Sequence, residues 1–287
     1  MTKKVTWIID EVLLGRHDHV GFPTIASAAL ELGHDVIRTK YQPFTDKIGS
    51  YLEKQILDNK TDNCIIVYGC VGFLKLFNNW SFGCPGSYFK TKELEFSFYA
   101  SNPQIGPYIL NHDYFILPYG TLMERIRNGL PIDYDGRLFI RPNSVTKTFA
   151  GRVFEFGDLS DHPDSLAQYE PVSDNELCIV AAAKNIEAEF RHIIVDRKVI
   201  SSSQYRRNNV LDIRIDVNEQ CLALAEKITN VEWQPDYVYV VDTALSNGSS
   251  YIVEYNTFSC AGLYACDTRK VVEAVSEMAW KEMKGDL

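Results

Sequence analysis

Apolar and polar positions change their period near the middle of this chain. Val5-Thr6-Trp7-Ile8-Ile9 is a short apolar run that reads as a buried strand, and Thr24 to Leu32 spaces its apolar residues as a helix does before Gly33 stops it. Asp35-Val36-Ile37 begins a second strand. A helix near Ile48–Leu57 and the strand Cys64–Tyr68 extend the alternation, so the first hundred residues predict a parallel α/β lobe, Rossmann-like in outline. No GxGxxG turn occurs in it, and nothing there requires a dinucleotide.

After a helical Thr121–Asn128 the pattern shifts to strands joined by polar turns, at Leu138–Arg141, Phe154–Phe156, Leu177–Ala181, Glu189–Val195, Val199–Ser202, Tyr237–Thr243 and Tyr251–Thr257. Helices at Asn218–Ile228 and Thr268–Lys284 interrupt and close this half, which reads as α+β. No internal repeat or low-complexity segment is present.

Composition narrows the function classes. A chain of 287 residues exceeds one typical domain and predicts two or three associated lobes. With 46% hydrophobic and 23% charged residues it is neither disordered nor fibrous, and a formal net charge of −9 disfavours nucleic acid and anionic lipid as partners. Small molecules or proteins fit better. The seven cysteines are scattered without a CxxC pair and read as reduced, mostly buried thiols. The apolar run at the N-terminus is broken by Asp10 and Glu11 with no cleavage site after it, and no stretch approaches the ~20 apolar residues of a membrane helix. A cytoplasmic protein is expected, with Asn79-Trp80-Ser81 and Asn247-Gly248-Ser249 matching the glycosylation pattern by accident.

The densest chemistry lies in residues 237–258, where two β-rich runs flank Asn247-Gly248, a strong hairpin signal. Antiparallel pairing centred on Gly248 sets Asp242 opposite Glu254, and strand alternation puts Asn256 on the same face. Like charges facing each other across a ladder cost energy unless a cation lies between them or water screens them. Two readings follow: a hard divalent cation such as magnesium, held by oxygen ligands, or a solvated outer face of a two-sided hairpin.

Glu254-Tyr255-Asn256, with Asp242 upstream, resembles the metal site of the ATP-grasp fold, an acid on one strand and Glu-x-Asn on the next. Phe139-Ile140-Arg141-Pro142 and the loop Asn143 to Gly151 are similar to that family's strand and phosphate-covering loop. Arg141 stands where most members place a lysine and Lys147 lies in the loop, a departure that resembles a phage-associated clade defined by two arginines and one lysine. Ala181 to Arg191 resembles the hinge between the two grasp subdomains, and Glu189-Phe190-Arg191 the clade's Glu-aromatic-Arg signature.

The resemblance implies a pre-grasp domain at 1–110 and an ATP-grasp domain at 111–287, with subdomains at about 111–182 and 183–287. It implies ATP and Mg2+ as cofactors, Asp242, Glu254 and Asn256 as metal ligands, and Arg141, Lys147 and Arg191 as catalytic groups on the phosphates. Lys184, Glu187 and Glu189 join the nucleotide contacts, with Glu187 toward the ribose. The implied activity is an ADP-forming ligase that joins a carboxylate-bearing to an amine-bearing substrate, whether small molecule, peptide or protein tail. A small-molecule kinase and a non-catalytic nucleotide-binding protein are the alternatives. Without the resemblance, Arg141 reads as a surface ion pair, Lys147 as an exposed loop lysine and Arg191 as a partner of Glu187 or Glu189.

Three other segments carry weaker signals. Gly15-Arg16-His17-Asp18-His19 reads as a loop after the first strand, a poor metal site but one where open α/β sheets bind ligands. The glycines of Tyr68-Gly69-Cys70-Val71-Gly72 read as a tight turn or close packing. Ser259 to Tyr264 reads as a turn into the last helix or the floor of an acceptor pocket, and no nucleophilic triad is evident.

Overall fold

A computed structural model of the chain describes residues 4–11, 22–41, 64–77, 84–128, 136–155 and 171–287. Three sheets order them. The first is parallel, with strands β1 (Val5–Asp10), β2 (Asp35–Thr39), β3 (Cys64–Tyr68) and β4 (Cys84–Gly86) in the order β2-β1-β3-β4. Every residue of β3 is buried, as expected of a parallel strand covered on both faces. Helix α1 (Ile25–Glu31) follows a reciprocal cap in which Thr24 Oγ1 accepts from the Ser27 amide at 3.0 Å. The segment read as a turn after β3 is instead helix α2 (Val71–Phe77), whose Phe73, Leu74 and Phe77 are buried. The expected helix near 48–57, Phe156, and the Arg16 and His17 loop lie outside the described residues.

A short helix α3 (Phe96–Ala100) leads to an antiparallel sheet of β5 (Phe115–Pro118), β6 (Arg137–Pro142), β7 (Arg152–Glu155) and β8 (Leu177–Ala182), ordered β5-β8-β6-β7. Helix α4 (Tyr119–Arg127) covers one face of it through Leu122, Met123 and Ile126, packed on Leu138, Ile140 and Val180. The largest sheet contains β9 (Ala188–Val195), β10 (Lys198–Arg207), β11 (Val210–Arg214), β12 (Val238–Ser246) and β13 (Ser249–Thr257), ordered β11-β10-β9-β12-β13. Neither β4 nor β11 was expected; both are short and lie at sheet edges.

Two helices clamp this last sheet. Helix α5 (Glu219–Thr229), capped by Asn218, buries Leu224 and Ile228 against Val241 and Ile194 on one face. Helix α6 (Thr268–Lys284) covers part of the other. Its Val271, Val272, Val275 and Met278 share one core with Trp7 and Ile66 of the parallel sheet and with Ile193 and Val240. The indole Nε1 of Trp7 donates to Ser276 Oγ at 3.1 Å, so α6 ties the parallel sheet to the large antiparallel one. No helix among the described residues is long and apolar enough to cross a membrane.

Candidate nucleotide and metal site

The β12–β13 hairpin turns through Asn247 (φ 50°) and Gly248 (φ 74°), the pair of left-handed residues that a tight two-residue turn demands. From this turn the ladder runs Ser246 to Ser249 through Thr243 to Ile252, a register that would set Asp242 against Val253. An irregularity between Asp242 and Thr243 shifts it by one, and Asp242 faces Glu254. A bulge of this kind re-aims side chains, and here it brings two carboxylates together.

Asn256 joins them. Its Nδ2 donates to Asp242 Oδ2 at 3.2 Å and to Glu254 Oε1 at 2.9 Å. On the neighbouring strand Arg191 stands directly across from Asp242. Its Nε and Nη2 grip the two carboxylate oxygens at 2.9 and 2.7 Å, and Nη1 donates to the Gly262 carbonyl at 2.7 Å. Both side chains are almost wholly buried, so this is a desolvated bidentate pair.

Glu254 takes its cations from the other antiparallel sheet. Arg141, near the end of β6 and 4% exposed, reaches Glu254 Oε2 at 3.0 Å, with its guanidinium 5.4 Å from the centre of the Phe96 ring. Lys147, from the loop between β6 and β7, reaches Glu254 Oε1 at 2.8 Å while its side chain stays 45% exposed. Gly151 closes that loop over β6: an added Cβ would lie 3.1 Å from Arg141 Cβ and 3.2 Å from Phe139 Cζ. Six residues from four segments thus meet between the two antiparallel sheets, and they are the ones proposed from sequence for metal and phosphate.

The electrostatics follow from this packing. Burial opposes ionisation of Glu254, but the pull of Lys147 and Arg141 outweighs it and holds the carboxyl below the usual carboxylate range. Burial raises Asp242, with Arg191 working against the rise. Burial likewise opposes the Arg191 charge, and Asp242 more than restores it.

The remaining predicted residues lie apart from the six. Lys184 pairs with Asp113 at 2.9 Å. Glu187 accepts from the Gly248 amide at 3.2 Å, at the hairpin turn, and its own amide donates to Leu245 O at 2.9 Å. Glu189 accepts the Tyr205 hydroxyl at 2.6 Å and lies 3.6 Å from Arg206. The buried His192, on the opposite face of β9 from Arg191, sits between Ser202 Oγ and Thr243 Oγ1 at 2.8 Å each. Burial pushes its pKa down to about 3, which keeps the imidazole neutral. The segment Ser259–Cys260 meets the carboxyl end of β3, where the Gly69 amide donates to Ser259 O at 2.8 Å. Sequence reasoning missed Tyr264 and Phe96, whose rings bear on Arg191 and Arg141; no local motif marks either.

The donor set suits a hard cation. Among the described residues no three His, Cys, Asp or Glu side chains group as metal ligands. Two carboxylates and an amide do converge, however, and magnesium commonly takes one or two carboxylates with phosphate oxygens and water. Glu254 is the more available carboxylate, because its Lys147 partner is half exposed and such pairs are worth only about 0–1 kcal/mol. Asp242 keeps lone-pair capacity on Oδ1, which accepts only from Arg191 Nε among the hydrogen bonds described above.

Residues 128–274 match the family model of the ATP-grasp domain of the two-arginine, one-lysine clade, family 2. No curated protein matches the sequence. Among solved structures the chain is similar to N5-carboxyaminoimidazole synthetase from Staphylococcus aureus, with TM-score 0.59 and 12% identity over 95% of this chain and 77% of that one. It is also similar to D-cycloserine synthetase DcsG, with TM-score 0.57 and 11% identity over 96% and 99%. A third is D-alanine–D-alanine ligase from Bacillus anthracis complexed with ATP, with TM-score 0.56 and 11% identity over 99% of each chain. At these identities the likeness is one of fold.

Proposed function

The chain belongs to family 2 of the two-arginine, one-lysine clade of ATP-grasp domains, and on that basis we propose that it is an ATP- and magnesium-dependent ligase that activates a carboxylate and joins it to an amine. The observation that carries this reading is the meeting of Arg141, Lys147 and Arg191 with Asp242, Glu254 and Asn256 between the two antiparallel sheets. A triphosphate bears several negative charges, and its transfer depends chiefly on positioning and charge stabilisation. Solved neighbours include D-alanine–D-alanine ligase with ATP.

In this reading Glu254, Asp242 and the amide of Asn256 hold magnesium, which when bound draws charge from the phosphate oxygens. Arg141 and Arg191 present planar forks to those oxygens, and Lys147 a compact charge on a loop that closes over them. Glu187 lies at the turn end of β12, about 10 Å along the strand from Asp242 at ~3.3 Å per residue, and serves the nucleoside end with Lys184. The substrate carboxylate oxygen bonds to the γ-phosphorus as the bond to the β,γ-bridging oxygen breaks and ADP leaves. The amine then attacks the acyl carbon, phosphate departs, and the amine proton passes to solvent.

Thermal unfolding with ATP and magnesium tests the site. A ligand at a hundred times its Kd adds about 2.7 kcal/mol, so wild type should shift upward while Glu254→Ala combined with Asn256→Ala should not. Equal shifts in both proteins, or in neither, would overturn the assignment. Product analysis tests the chemistry: ADP with an amide supports the ligase, and a stable phosphorylated product a kinase.

A further inference from the structure

We propose that Tyr264, held on Tyr205, is the positioning residue that fixes the orientation of Arg191. The inference rests on the role given to Arg191 above. Tyr264 has φ 52°, the left-handed region that bulky L-residues rarely adopt because Cβ crowds the backbone. Gly262, two residues earlier, could adopt it freely and does not. The strain therefore falls on the aromatic residue, and backbone strain of this kind persists where the surroundings impose it, commonly at functional sites.

The strained conformation turns the Tyr264 ring inward. It stacks on Tyr205 with centroids 4.9 Å apart and planes 10° from parallel. The Arg191 guanidinium carbon lies 4.8 Å from the Tyr264 centroid and 5.6 Å from that of Tyr205. Tyr205 is itself anchored, since its hydroxyl donates to Glu189 Oε2 at 2.6 Å. Glu189 and Arg191 are two apart on β9 and point to the same face. A closed circuit results, running from Glu189 through Tyr205 and Tyr264 to Arg191 and back along one strand.

Arg191 is thereby held on every side that matters. Asp242 takes one edge of the fork, the Gly262 carbonyl takes Nη1, and Tyr264 takes the face. Gly262 and Tyr264 belong to the same segment, so a single turn of chain supplies both the in-plane acceptor and the stacking surface. A guanidinium fixed before the nucleotide arrives loses little freedom on gripping phosphate, and preorganised charge lowers the barrier rather than only tightening binding. Glu189, predicted from sequence as a nucleotide contact, acts in this scheme through Tyr205.

Two variants separate positioning from bulk packing. Tyr264→Gly relieves the backbone and removes the ring; Tyr264→Phe keeps both strain and ring. For Tyr264→Gly, kcat should fall roughly tenfold, as expected for loss of a desolvated cation–π contact, while KM for ATP changes less than about threefold. Tyr264→Phe should recover most of the loss. In ligand-free protein the Arg191 Nε–H proton signal, assigned by its disappearance in Arg191→Lys, should be sharp in wild type and Tyr264→Phe and broadened in Tyr264→Gly. An unchanged signal in Tyr264→Gly, or equal impairment of both variants, would overturn the proposal. If wild type fails to turn over ATP, the ligase reading falls, and the proton signal still decides the positioning role.

Discussion

Replacing Arg191 by lysine keeps the positive charge and removes the fork. In the structure Arg191 makes three charge-assisted hydrogen bonds, two to Asp242 and one to the Gly262 carbonyl, at 2.7–2.9 Å. An ammonium on a flexible stem can keep one contact to Asp242, so two are lost. Hydrogen bonds to charged groups contribute about 1.5–3 kcal/mol each, which puts the loss near 3 kcal/mol at the lower end of that range. For a chain of this size each kcal/mol moves Tm by about 2–4 °C, and Arg191→Lys should unfold about 6–12 °C below wild type. Differential scanning calorimetry without nucleotide measures this directly. A drop of less than 2 °C would show that the fork does not hold Asp242, and with it the electrostatic account of the site would fail.

Other consequences are as direct. Burial, reinforced by Glu282 and Glu93, raises the Asp236 carboxyl from 3.8 to about 7. Such a group stabilises the fold below its unfolded pKa and loses that contribution as pH rises through the folded one. Asp236→Asn should therefore raise stability at pH 8 and leave it unchanged near pH 4. About three pH units at 1.36 kcal/mol each cap the gain near 4 kcal/mol, and a Tm series across pH checks it. Gly151→Ala must displace Arg141 or Phe139 by a few tenths of an ångström, and should weaken ATP–magnesium binding several-fold in calorimetric titration at about 1 kcal/mol of stability. Among the thiols, exposed Cys84 should react first with a disulfide reagent. Cys64 and Cys178, pushed up to about 12 by burial, should wait for unfolding, as peptide mapping would show.

The hairpin chemistry was largely legible in sequence, and the reason is local. Asn247-Gly248 admits few turns, and alternation then aligns Glu254 with Asn256. The pairing of Asp242 with Glu254 came out correctly by a route the structure amends. A two-residue turn alone sets Asp242 against Val253, and the irregularity beside Asp242 restores the expected pair. No residue type announces that bulge. The glycines around Cys70 misled in the other direction. Gly69 is there because a side chain would strike the Phe73 ring and Asp10 Cβ at 2.4 and 2.7 Å, and the helix begins just beyond it. The approach of Arg141 and Lys147 to Glu254 depends on one sheet lying against another, a fact that no periodicity within either sheet encodes. The inward turn of Tyr264 has the same character, since its φ is imposed by partners distant in sequence.

The contact between Lys147 and Glu254 makes the ligand-free cleft a latched one. Its carboxylates already carry counterions, so an arriving nucleotide does not fill a vacant charge but exchanges partners: phosphate takes the lysine, and the metal takes the carboxylate it leaves. Affinity then reports a difference between two sets of ion pairs rather than the strength of one. Because the half-exposed Lys147 bond is the weakest of the set, it is the one that yields first, and the loop that carries it is free to move only once the exchange has begun.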